Sequence, residues 1–485
     1  MMRSLRAYVI TRFLLTIPMV LILLILVFIL LRVMPGDPIK AAMRPGVPKE
    51  YLDQIRHAQG LDRPLVLNLR GSWATAVEPV IVLYEEHSTD SPPVMLALEG
   101  NRFSITDRYR EGDEDWVRIA VEEGVPVWVE KEKLRWLRQG EVHFSVLEEG
   151  TPPGNVPGEW VQVQFKQGGI EGWAPADQFD IAVNPLDSQF FNYLWGLITR
   201  FDLGRSITLR GRPVAADLAL KFPATLELSI FGMLIAGLVG VFTGAYAAYK
   251  RRSAADYALR IYSIVAYAVP IFWLGLMFQL IFGVGLKWLP VADRVSTQLR
   301  PETIVQVYNL QEVLTGPTGE RLIKIIEFFS NFYILDCIVT GQWESLLDVL
   351  KHLILPSMTL GLYLSGIFTR LTRANMLDVL QQDFVMAARA RGIKERIVVY
   401  KHALMNAFIP ILTMFGLQFA LLLAGAVLTE TTFNWPGMGL FLVERITARD
   451  FPAIQGTVVF FALLVALVSL IVDIIYARVD PRVRY

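Results

Sequence analysis

The chain of 485 residues is 53% hydrophobic and 19% charged, with a mean hydropathy of +0.42. Soluble globular proteins carry about 25% charged residues, so this balance argues against a soluble enzyme. The 46 basic and 46 acidic residues cancel, which excludes a strongly basic nucleic-acid-binding protein. The single cysteine, Cys337, excludes an internal disulfide and a cysteine-based zinc site.

Six stretches that are free or nearly free of charge account for the high hydropathy. In chain order they are 19, 22, 26, 17, 27 and 22 residues long. About 20 helical residues cross a hydrocarbon core of roughly 30 Å, so the sequence predicts an all-α polytopic membrane protein with six transmembrane helices. A buried core helix is the alternative for the 17-residue stretch. The six stretches are 13–31, 228–249, 261–286, 353–369, 403–429 and 451–472.

The first stretch follows three arginines and could belong to a secretory signal peptide. The apolar part of such a signal has about 7–15 residues and ends at a small-residue cleavage site. Here the run has 19 residues and ends in Leu31-Arg32-Val33-Met34-Pro35. We therefore predict a retained membrane helix, with a cleaved signal as the alternative.

The distribution of charge predicts the orientation in the membrane. With the N-terminus inside, the four cytoplasmic pieces carry 17 basic and 6 acidic residues, whereas the rest of the chain has a net charge of −11. Short loops rich in Lys and Arg stay in the cytoplasm. Both termini are therefore expected in the cytoplasm. The cytoplasmic pieces are 1–12, 250–260, 370–402 and 473–485.

The first outer segment contains a stretch of different composition. Residues 71–180 carry 21 acidic and 9 basic residues, and short apolar runs alternate there with turn residues. Such runs predict strands, so we expect a β-rich extracytoplasmic insertion at 70–185. The second outer segment, 287–351, is mixed in polarity, and its run 322–334 predicts a surface helix. The runs predicted as strands are 80–84, 116–120, 125–129 and 160–165.

Tryptophans recur within this acidic stretch. Trp116 and Trp128 are followed by Trp160 and Trp173, at offsets of 44 and 45 residues. A fixed offset indicates that the same short β unit occurs twice. The Trp-Val-x-Val pattern resembles bacterial SH3-like modules, and an unspecified small β domain is the alternative.

Motifs for covalent or nucleotide chemistry are absent from the sequence. There is no Gly-Lys dipeptide, and hence no phosphate-binding P-loop, and neither His-Glu-x-x-His nor Gly-x-Ser-x-Gly occurs. The acidic residues that touch the predicted spans, Glu227 and Asp473, lie near span ends. Ion-coupled transporters usually place an ionisable group at mid-membrane, so that class is disfavoured. Any transport must draw its energy from elsewhere.

The cytoplasmic loop 370–402 indicates where that energy could enter. Apolar residues recur at helical spacing from Met376 to Ala387, which predicts one helix, and Gly392 predicts a left-handed helix end. A tip of small residues flanked by arginines would fit a groove on a partner protein. An amphipathic helix lying on lipid headgroups is the alternative.

The run Ala387-Ala388-x-x-x-Gly392 resembles the coupling signature of ABC-importer permeases, a short helix that inserts into a cytosolic ATPase. The wider run from Arg370 to Asn406 is similar to the B-type transmembrane subunit of the dipeptide/oligopeptide ABC-transporter permease family. Outside about 70–185 and 294–345, further motifs of this family follow in order. They include Met34-Pro35-Gly36-Asp37-Pro38, Asp202-Leu203-Gly204-Arg205-Ser206, Pro270-Ile271-Phe272-Trp273-Leu274-Gly275 and Phe433-Asn434-Trp435-Pro436-Gly437-Met438-Gly439.

This resemblance implies a type I ABC importer permease fold in a bacterial-type cell membrane, with no catalytic residue and no cofactor in this chain. It implies a homologous second permease subunit, two cytosolic ATPases that bind ATP and magnesium, an extracytoplasmic substrate-binding protein and membrane lipid as partners, but no nucleic acid. Peptides are the expected substrate, with nickel chelates, glutathione and sugars as alternatives. The residues that the resemblance assigns to ATPase coupling are Asp383, Ala387, Ala388, Arg389, Ala390, Gly392, Ile393 and Arg396.

The sequence departs from the family pattern at three places. Met386 and Met405 stand where the general coupling signature has Glu and Pro, although the dipeptide subfamily also varies there. The acidic β stretch separates two motifs that lie closer together in the family. A membrane-anchored scaffold with a binding β domain is a further alternative, but an anchor does not need five more spans. We divide the chain into an N-terminal span with the start of the outer segment (1–69), the insertion (70–185) and a five-helix permease core (186–485).

Overall fold

The computed structural model describes the permease core almost completely and the insertion in part. The described residues are 5–33, 65–66, 73–76, 80–84, 93–98, 102–111, 114–121, 126–130, 144–150, 160–165, 170–182, 186, 188–209, 211–424 and 426–479. The motif at 34–38 and the outermost residues of the two ends predicted to be cytoplasmic, 1–4 and 480–485, lie outside them. The described residues form two compact units. One comprises the first helix and the residues from Leu203 onward, and the other the residues between 65 and 202.

The described part of the chain is mostly helical. Its helices are α1 (Leu5–Val33), α2 (Gln189–Arg200), α3 (Val214–Tyr249), α4 (Ala254–Ala268), α5 (Ile271–Phe278), α6 (Ile304–Val307), α7 (Leu310–Val313), α8 (Gly316–Ser330), α9 (Tyr333–Thr340), α10 (Trp343–Val379), α11 (Asp383–Ala390), α12 (Glu395–Ile397), α13 (Leu404–Leu423), α14 (Val427–Thr432), α15 (Met438–Thr447) and α16 (Phe451–Val479). Two π-helical turns, Gln279–Gly285 and Val398–Ala403, follow α5 and α12.

Four helical segments within the described residues are long and apolar enough to cross a membrane. A fifth candidate is the pair α4 and α5, which continues to Gly285 and is bent by 99°. A shorter apolar stretch, Leu14–Leu30, lies within α1. Each of the six predicted stretches overlaps one of these elements, and the chain is a multi-pass membrane protein. The four segments are Val214–Tyr249, Trp343–Val379, Glu395–Leu423 and Phe451–Ile475.

The predicted span 261–286 is not one continuous helix, and the prediction was wrong in this respect. α4 ends before Val269, whose φ of −73° and ψ of 127° are extended, and α5 begins after Pro270. Proline supplies no N–H, and it drives the preceding residue out of the helical region. The proline therefore turns one hydrophobic stretch into two helices with different directions.

Two other predicted spans differ from the structure at their ends. The helix expected at 403–429 ends at Leu423, and α14 starts separately at Val427. The 17-residue stretch 353–369 is the middle of α10, which is 37 residues long. Hydropathy alone missed the polar turns that lengthen α10 at both ends.

The unit that comprises α1 and the residues from Leu203 onward, here called the permease unit, is built around the contact between α3 and α10. A β-carbon added to Gly240 would overlap Cβ of Phe368, and one added to Gly244 would lie 2.6 Å from the carbonyl oxygen of Thr369. Backbones that approach this closely require small residues, as in many pairs of membrane helices. The small residues recur every fourth position along α3, as Gly232, Ala236, Gly240, Gly244 and Ala248.

Strands and α2 form the other unit. The described strands are β1 (Trp73–Ala76), β2 (Val80–Tyr84), β3 (Pro93–Leu98), β4 (Arg102–Glu111), β5 (Glu114–Val121), β6 (Pro126–Glu130), β7 (Phe144–Gly150), β8 (Trp160–Phe165), β9 (Ile170–Pro175) and β10 (Phe179–Ala182). A seven-stranded sheet has the order β10-β1-β4-β5-β9-β2-β3, and a three-stranded sheet has the order β6-β8-β7. All four runs predicted as strands coincide with or overlap β2, β5, β6 and β8.

The two copies of the tryptophan repeat pair with each other. β5, which starts the first copy, pairs with β9, which ends the second, and β6 pairs with β8. Trp128 therefore lies opposite Gln162, and Trp173 lies opposite Arg118. The copies run antiparallel and share both sheets, so they do not form two separate small modules. The likeness to SH3-like modules stays a prediction.

The first and last strands of the insertion are neighbours. β1 pairs with β10 in a register that places Trp73 opposite Ala182 and Ala76 opposite Phe179. Opposed residues of antiparallel strands lie about 5 Å apart, so the chain enters and leaves the sheet at one place. Adjacent ends are typical of domains inserted into a host chain.

The surface helix expected at 322–334 is also divided. α8 ends at Ser330, and α9 begins at Tyr333. The N–H groups of Asn331 and Phe332 each donate to a carbonyl three residues back, at 3.2 and 3.0 Å, which closes a tight turn between the helices.

Candidate functional site

α11 is a short helix of eight residues, and a turn connects it to the end of α10. α10 ends at Val379, and the N–H of Gln382 donates to the Val379 carbonyl at 3.0 Å, which closes a turn at 380–382. The prediction of one helix from Met376 to Ala387 was therefore wrong. The apolar spacing continues across the turn, but beyond it Phe384 and Ala387 are exposed and the neighbouring Val385 and Ala388 are buried instead.

Gly392 ends the α11 segment in the left-handed conformation that the sequence predicted, with φ of +72°. The N–H of Ile393 donates to the carbonyl of Ala388 at 3.3 Å, and the N–H of Gly392 donates to the carbonyl of Arg389 at 2.9 Å. These two bonds form a Schellman motif. An added β-carbon on Gly392 would meet no atom within 4 Å, so glycine is required here for its backbone conformation and not for space.

One face of α11 is buried against the ends of the membrane helices. Val385 and Ala388 belong to a buried apolar cluster, and Ile393 packs against it. Because protein interiors are close-packed, a displacement of α11 must move the helix ends that share this cluster. The other members are Ala245 and Ala248 of α3, Met376 and Val379 of α10, Val398, Val399 and Ala403 of the second π-helical turn, and Ala407 of α13.

The opposite face of α11 is exposed. Two large apolar side chains lie there, Phe384 with 39% and Met386 with 54% of its surface exposed. Six of the eight predicted coupling residues share this exposure, whereas Ala388 is buried and Ile393 half-buried. The six are Asp383, Ala387, Arg389, Ala390, Gly392 and Arg396.

Sequence analysis did not select Phe384 or Met386 as site residues. Phe384 was counted only among the apolar residues at helical spacing, and Met386 was noted only as a departure from the general signature. The turn at 380–382 rotates α11 relative to α10 and brings both side chains to the surface. Their position within the signature was the available signal.

Arg389 forms an ion pair within the chain. Its Nη2 donates to Oε1 of Glu395 at 2.7 Å, and its Nε donates to Oε2 at 3.2 Å. The hydrogen bond with Glu395 raises the pKa of the Arg389 guanidinium above its ordinary value. Both side chains are about two-fifths exposed, so the pair contributes roughly 0–1 kcal/mol to stability. Its main effect is geometric, since it closes the turn after α11.

A buried ion pair lies nearer the other end of α3. Nη2 of Arg294 donates to Oε2 of Glu227 at 2.6 Å, and both side chains are more than nine-tenths buried. The other oxygen of Glu227 accepts the N–H of Ile334 at 3.1 Å, and the Arg294 guanidinium lies 3.9 Å from the ring centre of Tyr333. Removing one partner of such a pair destabilises a protein by about 3–5 kcal/mol. The pair therefore fixes the second outer segment to α3.

Glu430 organises the motif between residues 433 and 439. It is buried and accepts hydrogen bonds from the Thr225 hydroxyl at 2.7 Å and the Leu440 N–H at 2.9 Å. A β-carbon on Gly437 would overlap the Glu430 carboxyl, so glycine lets the start of α15 approach it. The Trp435 indole donates to a carbonyl of α3 at 2.9 Å. The motif thus holds α14 and α15 against α3.

Comparisons with known proteins place the chain in one family from residue 240, in the last third of α3, to its end. A family model described as the inner membrane component of binding-protein-dependent transport systems matches residues 240–485, which include α11 and Gly392. A di/tripeptide transport system permease protein of Pseudomonas aeruginosa is 38% identical over 332 residues, 68% of this chain and 91% of that protein.

Two further relatives are also permease proteins of transport systems. A dipeptide transport system permease protein of Escherichia coli K12 is 35% identical over 333 residues, 68% of this chain and 91% of that protein. A glutathione transport system permease protein of Pectobacterium atrosepticum is 34% identical over 301 residues, 62% of this chain and 80% of that protein. The matches cover most of each relative but leave about a third of this chain unmatched.

The neighbouring alanines of α11 should respond differently to substitution by leucine. Ala388→Leu adds volume to the close-packed cluster and should lower the free energy of unfolding by about 1–3 kcal/mol. Ala387→Leu lies on the exposed face and should change it by less than about 0.5 kcal/mol. Denaturant-induced unfolding of both purified variants in one detergent measures the difference. Equal destabilisation would show that the two faces have been assigned wrongly.

Proposed function

The chain belongs to the family of inner membrane components of binding-protein-dependent transport systems, and on that premise we propose that it forms half of the translocation pathway of an ABC importer for di- and oligopeptides. It is a non-catalytic permease subunit. Two of the three relatives described above are named for di- or tripeptide transport, and the third for glutathione, itself a small peptide derivative. These names support a peptide substrate.

The exposed face of α11 carries the proposal of coupling to an ATPase. A short helix outside the membrane-crossing segments presents Phe384 and Met386 to the surface while its other face is built into the ends of α3 and α10. A partner that binds this face can therefore push on two long membrane helices at once. The eight coupling residues named from the sequence lie on α11 or within six residues of its end.

The complete transporter in this proposal has six spans in this chain, both termini in the cytoplasm and α11 on the cytoplasmic side. A homologous second permease supplies the other half of the pathway, and two cytosolic ATPases bind ATP and magnesium, so this chain needs no cofactor. An extracytoplasmic binding protein delivers the substrate, and lipid surrounds the spans. Closure of the ATPases pushes the α11 helices of both halves together and turns the pathway outward by alternating access.

The insertion has a separate proposed role. The pairing of β1 with β10 supports a domain that folds by itself at the outer surface. Its sequence has a net charge of −12 over residues 71–180, which would attract a basic partner and raise its rate of association at low salt. We assign it to docking of the binding protein and not to the pathway.

Substitution of Gly392 tests the coupling role directly. Gly392→Val should prevent the left-handed turn and misplace α11, and the ATP hydrolysis that the binding protein stimulates should fall at least about tenfold, since β-branched residues are strongly disfavoured at positive φ. Gly392→Asn is the matched control, because asparagine tolerates this conformation and the site has room for a side chain. Hydrolysis is measured in proteoliposomes with the ATPases and binding protein. Normal stimulation of the valine variant would contradict the assignment.

Excision of the insertion tests its independence from the permease. The described strands run from Trp73 to Ala182, so deleting 73–182 and joining the ends with a short Gly/Ser linker cuts through none of them. The shortened chain should still enter the membrane and assemble with its ATPases. Transport should require more binding protein and become less sensitive to salt. Unchanged transport would leave a solvated domain without a docking role, and loss of assembly would contradict the domain boundary.

A further inference from the structure

The helix α4 is attached to the rest of the permease mainly by polar groups. Only two of its 15 residues, all within the described part of the chain, are buried, and these are Asp256 and Ser263. The long helix beside it, α10, buries Leu360, Leu364 and Phe368. Interlocked apolar side chains resist sliding because a displacement opens cavities. α4 contributes one aromatic contact to α10, Tyr267 stacked on Tyr363 with ring centres 5.6 Å apart, and buries no large apolar side chain of its own.

The polar contacts of α4 follow one line along α10. The Tyr262 and Ser365 hydroxyl oxygens are 2.5 Å apart. Beside this pair, a β-carbon on Gly366 of α10 would lie 2.7 Å from the carbonyl oxygen of Ser263 of α4. Toward the start of α4, Asp256 meets Arg373. The helices therefore run antiparallel along a seam, which we define as these three contacts, two polar pairs and one close backbone approach.

Asp256 is the most highly connected residue of this seam. Its carboxylate accepts bonds from Nε and Nη2 of Arg373 at 2.6 and 2.9 Å, and it is 1% exposed. It also accepts the N–H of Arg252 at 2.9 Å, in the turn between α3 and α4. A bidentate pair with this geometry fixes both position and orientation. Arg260 lies 3.8 Å from the same carboxylate but is 43% exposed.

The ion pair lies where α3, α4 and α10 meet, near the cluster on which α11 packs. A β-carbon on Gly244 of α3 would be 3.1 Å from the backbone nitrogen of Arg373. Met376 and Val379, within the next two turns of α10, belong to the cluster on which α11 packs. A displacement of α11 therefore reaches Arg373 through fewer than two helical turns.

We propose that Asp256 and Arg373 are positioning residues for energy coupling. They transmit the displacement of α11 to α4, and α4 passes it on to α5, the other half of the bent pair. The inference rests on the proposed coupling role of α11. The ion pair makes the start of α4 follow the end of α10. Without the pair, the ATPases still engage α11, but α4 no longer follows.

The test separates hydrolysis from transport in the complete transporter. Asp256→Asn and Arg373→Gln are reconstituted with the ATPases and binding protein, and uptake of a radiolabelled dipeptide is measured per ATP hydrolysed. Each variant should keep stimulated hydrolysis but lose at least about fivefold in transport per ATP, the lower end of usual coupling between sites. The double variant should be no worse than either single one, because the residues act as a pair. Arg373→Lys should lose less, and Arg260→Gln is the matched control.

A second measurement covers variants that transport too little to assay. Cysteines replace the exposed Tyr257 on α4 and Ala374 on α10 and carry spin labels, whose distance is compared with and without ATP. Native Cys337 takes little label, because it is buried and burial raises its pKa to about 11. The distance should stay constant in the parent chain and change or broaden in the double variant.

The possible failures are distinguishable. Normal transport per ATP in the single variants, or one constant distance in the double variant, would overturn the proposal. Loss of assembly in both single variants would also overturn it, since the pair would then only hold the fold. Failure of the α11 assignment itself would appear instead in the Gly392 variants, which leave Asp256 and Arg373 unchanged.

Discussion

The backbone contact between α3 and α10 is the constraint on which the rest of the permease depends. Lipid chains are as apolar as leucine, so membrane helices gain little by burying large apolar side chains and pack through small residues instead. Gly240 and Gly244 leave no room for a β-carbon where they meet Phe368 and Thr369. Two helices held this closely move as one body, and the proposed functional parts are attached to that body at different heights.

Other segments are attached to α3 by apolar contacts at one of its ends and by polar contacts toward the other end. The cluster around Val385 and Ala388 joins α11 to the ends of both helices. Toward the opposite end of α3, Glu227 holds the second outer segment through Arg294, and Thr225 holds α14 and α15 through Glu430. Force applied at α11 is therefore delivered to the segments that α3 and α10 carry. α4 is also held partly by polar groups, and the ion pair of Asp256 with Arg373 joins its start to the same body.

Much of this architecture was predictable from local sequence. Charge-free stretches located the apolar helices, alternating runs located β2, β5, β6 and β8, and Gly392 indicated a left-handed turn that the structure contains. Pro270 was a visible signal for the broken span, but hydropathy reports only the length of an apolar run. The pairs Glu227 with Arg294 and Asp256 with Arg373 are separated by 67 and 117 residues, so no local pattern could join them. The same holds for the antiparallel pairing of the two β repeats.

The central claim is that the exposed face of α11 binds an ATPase, and cross-linking between the two proteins tests it most directly. Ala387 is exposed and Val385 is buried on the same helix. Single cysteines at these positions are treated, in the assembled transporter, with a short cross-linker that carries a maleimide for the thiol and a succinimidyl ester for lysine amines of the ATPase. The account predicts a cross-link to the ATPase from position 387 and none from position 385. Free reaction of Cys at position 387 with a soluble thiol reagent in the assembled transporter, with no cross-link, would contradict it.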